Sequence, residues 1–202
     1  YNAVDTARFD PAAIRQHRPA VRRGWGVGER DTVFLFVAHN LRLKNLALLR
    51  AVFGRVYREL PAVKLVVVGK RAPGFCAPYL VYAGTTETME RFYAGADALL
   101  HPSFYDSFAN VVLEAMSCAR PVAVSDCSGA SELIEHGVNG YVLPVAGAGD
   151  HVAAWAGLVR QIAGAPDRRQ DVGAKARDTA AAHAFPRYVT EFESWLEKVS
   201  GH

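Results

Sequence analysis

Short apolar runs and amphipathic stretches alternate along most of the chain. Residues 32–38 form a continuous apolar run, the mark of a buried strand. Residues 44–60 follow with helical spacing at Leu46, Leu49, Val52, Phe53, Val56 and Leu60, and Pro61 ends them. The same logic predicts strands at 64–69, 80–83, 98–101, 121–125 and 141–143. It predicts helices at 87–95, 107–119 and 131–135, with Ser107 as an N-cap. From Asp150 onward the pattern reads as three helices, broken near Gly164-Ala165-Pro166 and at Pro186. Buried strands alternating with helices imply an α/β fold: a Rossmann-like parallel sheet of about six strands, with helices on both faces. The expected βα core is 31–145, followed by C-terminal helices at 150–202. Ligands of such sheets bind at the carboxyl ends of the strands. Lys44, Lys70, His101 and Asp106 all follow predicted strands, so they are expected to share that edge.

Composition narrows the class. The chain has 202 residues, 50% hydrophobic and 21% charged, which allows one large globular domain. A net charge of +3 is too small to argue for nucleic acid. Cys76, Cys118 and Cys127 lack metal-ligand spacing, and their odd count suits a reducing compartment better than a disulfide scaffold. No apolar stretch has the length of a membrane span, and no signal peptide is visible. Arg15, His17, Arg18, Arg22 and Arg23 form a basic cluster that reads as a solvated face. The chain opens on YNAVDTARFDP rather than Met, which reads as mid-protein sequence and predicts a domain cut from a longer protein.

The chemistry concentrates in residues 96–140. Asp106 is expected in a loop after a strand, and Glu114 inside the next helix. On a helix they would stand roughly 12 Å apart along the axis. A glycosidase pair needs about 5 to 9.5 Å, so the two are poor acid/base partners. They suit a ligand with hydroxyls at both ends and negative charge between, such as a nucleotide-sugar. Free N–H groups of Phe108, Ala109 and Asn110 would face its phosphates at the helix N-terminus. A charge at Glu114 inside an apolar helix face needs either a ligand or a structural partner.

These residues carry a family resemblance. The chain resembles the C-terminal, nucleotide-sugar-binding domain of family 4 (group 1) glycosyltransferases, one half of a GT-B fold. It is most similar there to the lipopolysaccharide-core and related cell-envelope sugar transferases. NAVDTARFDP, within 1–30, resembles the interdomain segment, and FVAHNLRLKNLALL the phosphate-lysine loop. LVVVGK and LVYAG resemble the strands around the base, and PVAVSDCSGASELIEHGVNGYVLP the closing strand-helix-strand unit. Asp106 and Glu114 resemble the family's pair of acids with seven residues between them. The resemblance implies that Lys44 pairs with the donor diphosphate and that Asp106 contacts the transferred sugar, both as catalytic residues. It implies that Glu114 holds the ribose, with Arg42, Phe108, Ala109, Asn110 and His101 around the sugar and phosphates. Gly69, Lys70, Tyr82 and Gly84 would border the base. Asp106 stands where the family has Glu, Ala109 and Ala119 where it has Gly, and Ala38-His39 where it has Gly-Arg.

By resemblance, the whole enzyme transfers a glycosyl group from a nucleoside-diphosphate sugar, UDP first, to a cell-envelope glycan or lipid-linked acceptor. Configuration is retained, and no metal and no cofactor are expected. The fragment alone is expected to be inactive, because the acceptor-binding N-terminal domain is absent from it. The implied location is cytoplasmic, at the inner face of the membrane where the acceptor is lipid-linked. Two other classes stay open: a GT-B sugar-nucleotide epimerase and a non-catalytic nucleotide-sugar-binding module.

Overall fold

The computed structural model describes residues 2–200. Tyr1, Gly201 and His202, the ends of the expected domain, lie outside the described residues. The strands are β1 (Thr32–Val37), β2 (Val63–Val68), β3 (Leu80–Tyr82), β4 (Ala98–His101), β5 (Val122–Ser125) and β6 (Tyr141–Leu143). The helices are α1 (Pro11–Ile14), α2 (Arg18–Trp25), α3 (Leu46–Val56), α4 (Met89–Gly95), α5 (Asn110–Ser117), α6 (His151–Gly164), α7 (Pro166–Ala182) and α8 (Phe185–Ser200). Among the described residues the strands form one six-stranded sheet in the order β3-β2-β1-β4-β5-β6, with every pairing parallel. The α/β, Rossmann-like expectation holds.

Parallel strands need crossover helices, and these cover both faces. Alternate side chains of each strand therefore enter two different cores. Val33, Leu35, Val66, Leu99 and Val124 pack with α1, α2, α4, α5 and α7. Phe34, Phe36, Leu65, Leu100 and Ala123 pack with α3 and α6, where Trp155 is fully buried. Residues 2–30 are part of this packing, since Phe9, Ile14 and Trp25 are buried in the first core. The basic cluster there is solvated only in part: Arg15 and Arg23 are exposed, as its composition suggests, but Arg22 is not. Arg22 is completely buried and bonds the carbonyls of Gly28, Asp31 and Gly95.

Helix starts differ from the sequence pattern, for visible reasons. The first crossover helix begins at Leu46, because Asn45 adopts a left-handed conformation (φ 61°) and caps it through Leu48 N–H. The helix expected from Ser107 begins at Asn110, with Ala109 rather than Ser107 at the cap. Residues before it are held out of the helix by a bridge between Asp106 and Ser128, and Gly129 N–H donates to Asp106 O at 2.8 Å. The helix expected at 131–135 is a 3-10 turn over Gly129–Leu133. On α8, Phe185, Tyr188, Phe192, Trp195, Leu196 and Val199 are exposed. None of the described helices is long and apolar enough to cross a membrane.

Candidate functional site

The strand order reverses direction between β1 and β4, and the loops after these two strands part to either side. Such a switch point opens a crevice at the carboxyl edge of a parallel sheet. The loop after β1 is a tight turn organised by Asn40, whose side chain accepts from the N–H groups of Arg42 and Leu43. It delivers Lys44 to the crevice. The loop after β4 is anchored by Phe104 N–H on Leu43 O (3.0 Å) and by Ser125 Oγ on Ser103 O (2.5 Å). It delivers Asp106.

Three of the predicted residues meet there. Lys44 Nζ pairs with Asp106 Oδ2, and His101 Nε2 lies 3.0 Å from the same oxygen. His101 is buried and ends β4, so its ring is fixed by the sheet. The hydrogen bond from His101 holds the Asp106 carboxyl at about 2, well below its ordinary value; Lys44 adds to this and partial burial opposes it. With the carboxylate ionised, Nε2 must be the protonated nitrogen.

Glu114 does not join this cluster. It sits on α5 facing α4, where Tyr93 OH donates to its Oε2 at 2.8 Å. Burial raises its pKa, while Tyr93 and the charge of Arg8 work against that rise. The structural partner that a partly buried Glu114 needs is therefore Tyr93. The rise-based separation of Asp106 and Glu114 does not apply, because no helix lies under residues 106–109.

The first turn of α5 has no side-chain cap. Its leading amides are those of Asn110 onward, so Phe108 and Ala109 precede the helix rather than opening it. Asn110 is exposed, and its side-chain oxygen accepts from Asn2 Nδ2 at 2.6 Å. Arg42 and Lys70 stand exposed at the same edge, with no side-chain hydrogen bond or ion pair to a described residue. Arg42 lines a cavity of about 430 Å³ with Asn40, Leu43 and Phe104. Gly69 is where two backbones nearly touch: a Cβ there would stand 2.0 Å from Ala38 O. Gly69 N–H donates to Gly84 O, Gly84 has a positive φ of 69°, and Tyr82 OH donates to Gly69 O at 2.8 Å. Gly69, Tyr82 and Gly84 thus form one small unit beside the crevice.

Sequence reasoning missed Tyr93, Gly129 and Ser128. A Cβ on Gly129 would lie 2.0 Å from Ser107 O, so this glycine lets the 128–129 backbone seat the Asp106 loop. Ser128 Oγ, buried beside it, has no hydrogen-bond partner among the described residues. The need of Glu114 for a partner was the one local signal pointing toward Tyr93. Among the described residues no group of His, Cys, Asp and Glu is placed to hold a metal ion.

The sequence pattern described as "Glycosyl transferases group 1" matches residues 31–165. The chain belongs to this family. A glycosyltransferase of undetermined specificity from Methanocaldococcus jannaschii is 30% identical over 155 residues, covering 69% of this chain and 39% of its own length. The D-inositol 3-phosphate glycosyltransferase of Pseudarthrobacter chlorophenolicus is 28% identical over 216 residues, covering 98% of this chain and 50% of its own length. The group 1 domain described here thus spans about half the length, or less, of these relatives. Its fold matches Anabaena HepE, crystallised in complex with UDP, with a TM-score of 0.83, 21% identity, and coverage of 100% of this chain and 57% of that one. It also matches WaaG, a glycosyltransferase involved in lipopolysaccharide biosynthesis, with a TM-score of 0.80, 20% identity, and coverage of 95% and 54%. The group 1 domain therefore has the architecture of one half of a GT-B fold.

Proposed function

We propose that this chain is the donor-binding domain of a glycosyltransferase acting on a nucleoside-diphosphate sugar, UDP-sugars first. The observation that carries the reading is the meeting of Lys44, His101 and Asp106 in the crevice at the strand-order switch of a group 1 domain. In the transfer, the bond between the anomeric carbon and the diphosphate oxygen breaks. An acceptor hydroxyl oxygen takes its place and gives up its proton to solvent or to the departing diphosphate, on which negative charge develops. Lys44 and Arg42 supply fixed cations for that charge without a metal, and the uncapped N-terminus of α5 adds its dipole.

Asp106 then accepts from a hydroxyl of the transferred sugar, on the side where His101 and Lys44 already hold it ionised. Glu114 accepts from the ribose, with Tyr93 orienting its carboxylate. Gly69, Lys70, Tyr82 and Gly84 border the base. That UDP and UDP-glucose were crystallised with HepE supports uracil as the first base to test. The reaction retains configuration, and its acceptor is a cell-envelope glycan or lipid-linked sugar at the inner membrane face. The acceptor is held with an N-terminal domain, and the apolar stripe of α8 supports such a covering partner.

The test is calorimetric titration of UDP, GDP, ADP and their glucose conjugates into the chain, with Lys44→Ala and Glu114→Gln in parallel. One nucleotide should bind, with affinity falling about tenfold or more in each variant. Binding that both variants leave intact would overturn the assignment. If the chain binds nothing, the same titration on the full-length enzyme decides, and failure there overturns the donor-binding reading itself.

A further inference from the structure

A second charged cavity lies at the opposite end of the sheet from the donor edge. It measures about 630 Å³ and is walled by α1, the residue before β4, the α5–β5 turn and the first turns of α7. Arg15, Arg18, Arg120 and Arg169 line it, against two acids, Asp97 and Asp167. Asp97 is already engaged. It accepts from Arg18 Nη2 at 2.8 Å, from Val33 N–H at 2.8 Å and from the buried Arg22 Nη1 at 3.3 Å. Asp167 is an exposed acid in the first turn of α7, where the helix dipole accounts for it.

Arg120 is the unusual member. Its guanidinium makes no hydrogen bond or ion pair with any described residue, and its Nε is sealed from solvent. Burial makes its charged form harder to keep, and the nearby charges of Arg18 and Arg169 add to that while the charge of Asp97 works against it. The backbone forces this arrangement. Ala119 adopts a positive φ of 54° to turn the chain out of α5, and Gly173 of α7 is seated on that turn. A Cβ on Gly173 would stand 2.3 Å from Ala119 O, which keeps α7 and its Arg169 close to Arg120. Asp97 is shared between Arg18 and the buried Arg22, Arg18 also donates to the carbonyls of Ala94 and Ala96, and Arg169 Nη1 donates to Ile162 O, so Arg120 is left without such a partner in a cavity where positive charge exceeds negative.

We propose that this cavity is a second binding site, for a phosphate-bearing anion, with Arg120 at its centre and Arg15, Arg18 and Arg169 around it. The planar guanidinium fork matches phosphate oxygens in pairs. The site is distinct from the donor edge: β4 separates Asp97 from His101 by roughly 13 Å of strand. The inference does not rest on the donor reading, because none of its residues lies at that edge. Two sources share the chemistry: a free phosphorylated small molecule and a phospholipid headgroup.

The experiment uses the 202-residue chain, its Arg120→Gln and Arg169→Gln variants, and Lys44→Ala to remove the principal cation of the donor edge. Each is titrated with sodium pyrophosphate at constant ionic strength, reading calorimetric affinity and thermal midpoint. Each is also cosedimented with phosphatidylglycerol vesicles, with phosphatidylcholine vesicles as control. The expected result is a pyrophosphate-dependent rise in midpoint that persists in Lys44→Ala, with affinity about tenfold weaker in both arginine variants. Vesicle binding lost in both arginine variants, without a pyrophosphate effect, also supports the site and assigns the headgroup source. Binding to neither probe, binding equal in the arginine variants, or binding lost only in Lys44→Ala overturns the proposal. Because each comparison is with and without ligand, a variant that merely destabilises the fold does not imitate the result.

Discussion

Asp106 gives one carboxylate oxygen to both Lys44 and His101, which makes its charge a folding property as well as a chemical one. Its folded pKa of about 2 lies below the ordinary value of 3.8. Between these two values the unfolded chain binds the proton and the folded chain does not, so stability falls as pH drops through that window. Asp106→Asn removes this slice of the acid dependence. Its thermal midpoint should lie below that of the wild type at neutral pH, with the gap narrowing between about pH 4 and pH 2. A gap independent of pH would mean that Asp106 is not held by these charges. Glu114 behaves oppositely, since burial raises it and Tyr93 opposes the rise. Tyr93→Phe should therefore move the Glu114 titration midpoint further upward, read by carboxyl carbon NMR. An unchanged or lower midpoint would show that the hydrogen bond does not tune it. Lys44, His101 and Asp106 were legible in the sequence because each ends or follows a strand, and parallel topology gathers strand ends. Tyr93 was not, because it approaches Glu114 from a different helix and no local pattern encodes that contact.

Elements are placed here by glycines whose absent side chains let backbones touch. Gly129 and Gly157 make a controlled comparison. A Cβ on Gly129 would sit 2.0 Å from the carbonyl oxygen of Ser107, whereas one on Gly157, exposed on α6, meets nothing within 4 Å. Gly129→Ala must push the Asp106 loop away and should destabilise by about 1–3 kcal/mol. Gly157→Ala only restricts the unfolded chain and improves helix propensity, so it should stabilise by about 0.5–1 kcal/mol. Urea denaturation of both variants checks the opposite signs, and equal signs would refute the argument from close approach. The same contacts explain which boundaries the sequence pattern missed. Apolar periodicity located the strands and the helix interiors, since it reports which face is buried. It placed the start of α5 at Ser107, because Ser107 has the chemistry of a cap. The bridge from Asp106 to Ser128, residues far apart in sequence, keeps that stretch out of the helix until Asn110.

Over the whole molecule, the N-terminal segment closes on the junction between α7 and α8. Val4 forms a parallel bridge with Ala184, and Phe185 N–H donates to Val4 O at 2.9 Å. Arg177 of α7 locks this closure: its Nη1 donates to Ser117 O and its Nη2 to Asp10 Oδ2, each at 2.5 Å. Asp10 is also the N-cap of α1, accepting from the N–H groups of Ala12 and Ala13. Phe9, beside it, packs edge-on against Tyr93 at 5.9 Å between ring centroids, and Tyr93 holds Glu114. One guanidinium thus connects the N-terminal segment, the end of α5, α7 and, through Phe9, the carboxylate assigned to the ribose. Arg177→Ala should cost about 1–3 kcal/mol, because it leaves the Ser117 carbonyl without its side-chain donor and the second oxygen of the capping carboxylate without its cation. Hydrogen exchange separates this local account from general weakening. Amides in 4–14 and 110–118 should exchange faster in the variant, while those of α3, packed in the other core, change much less. Equal acceleration on both sides of the sheet would mean that Arg177 contributes only to global stability and does not couple the N-terminal segment to α5.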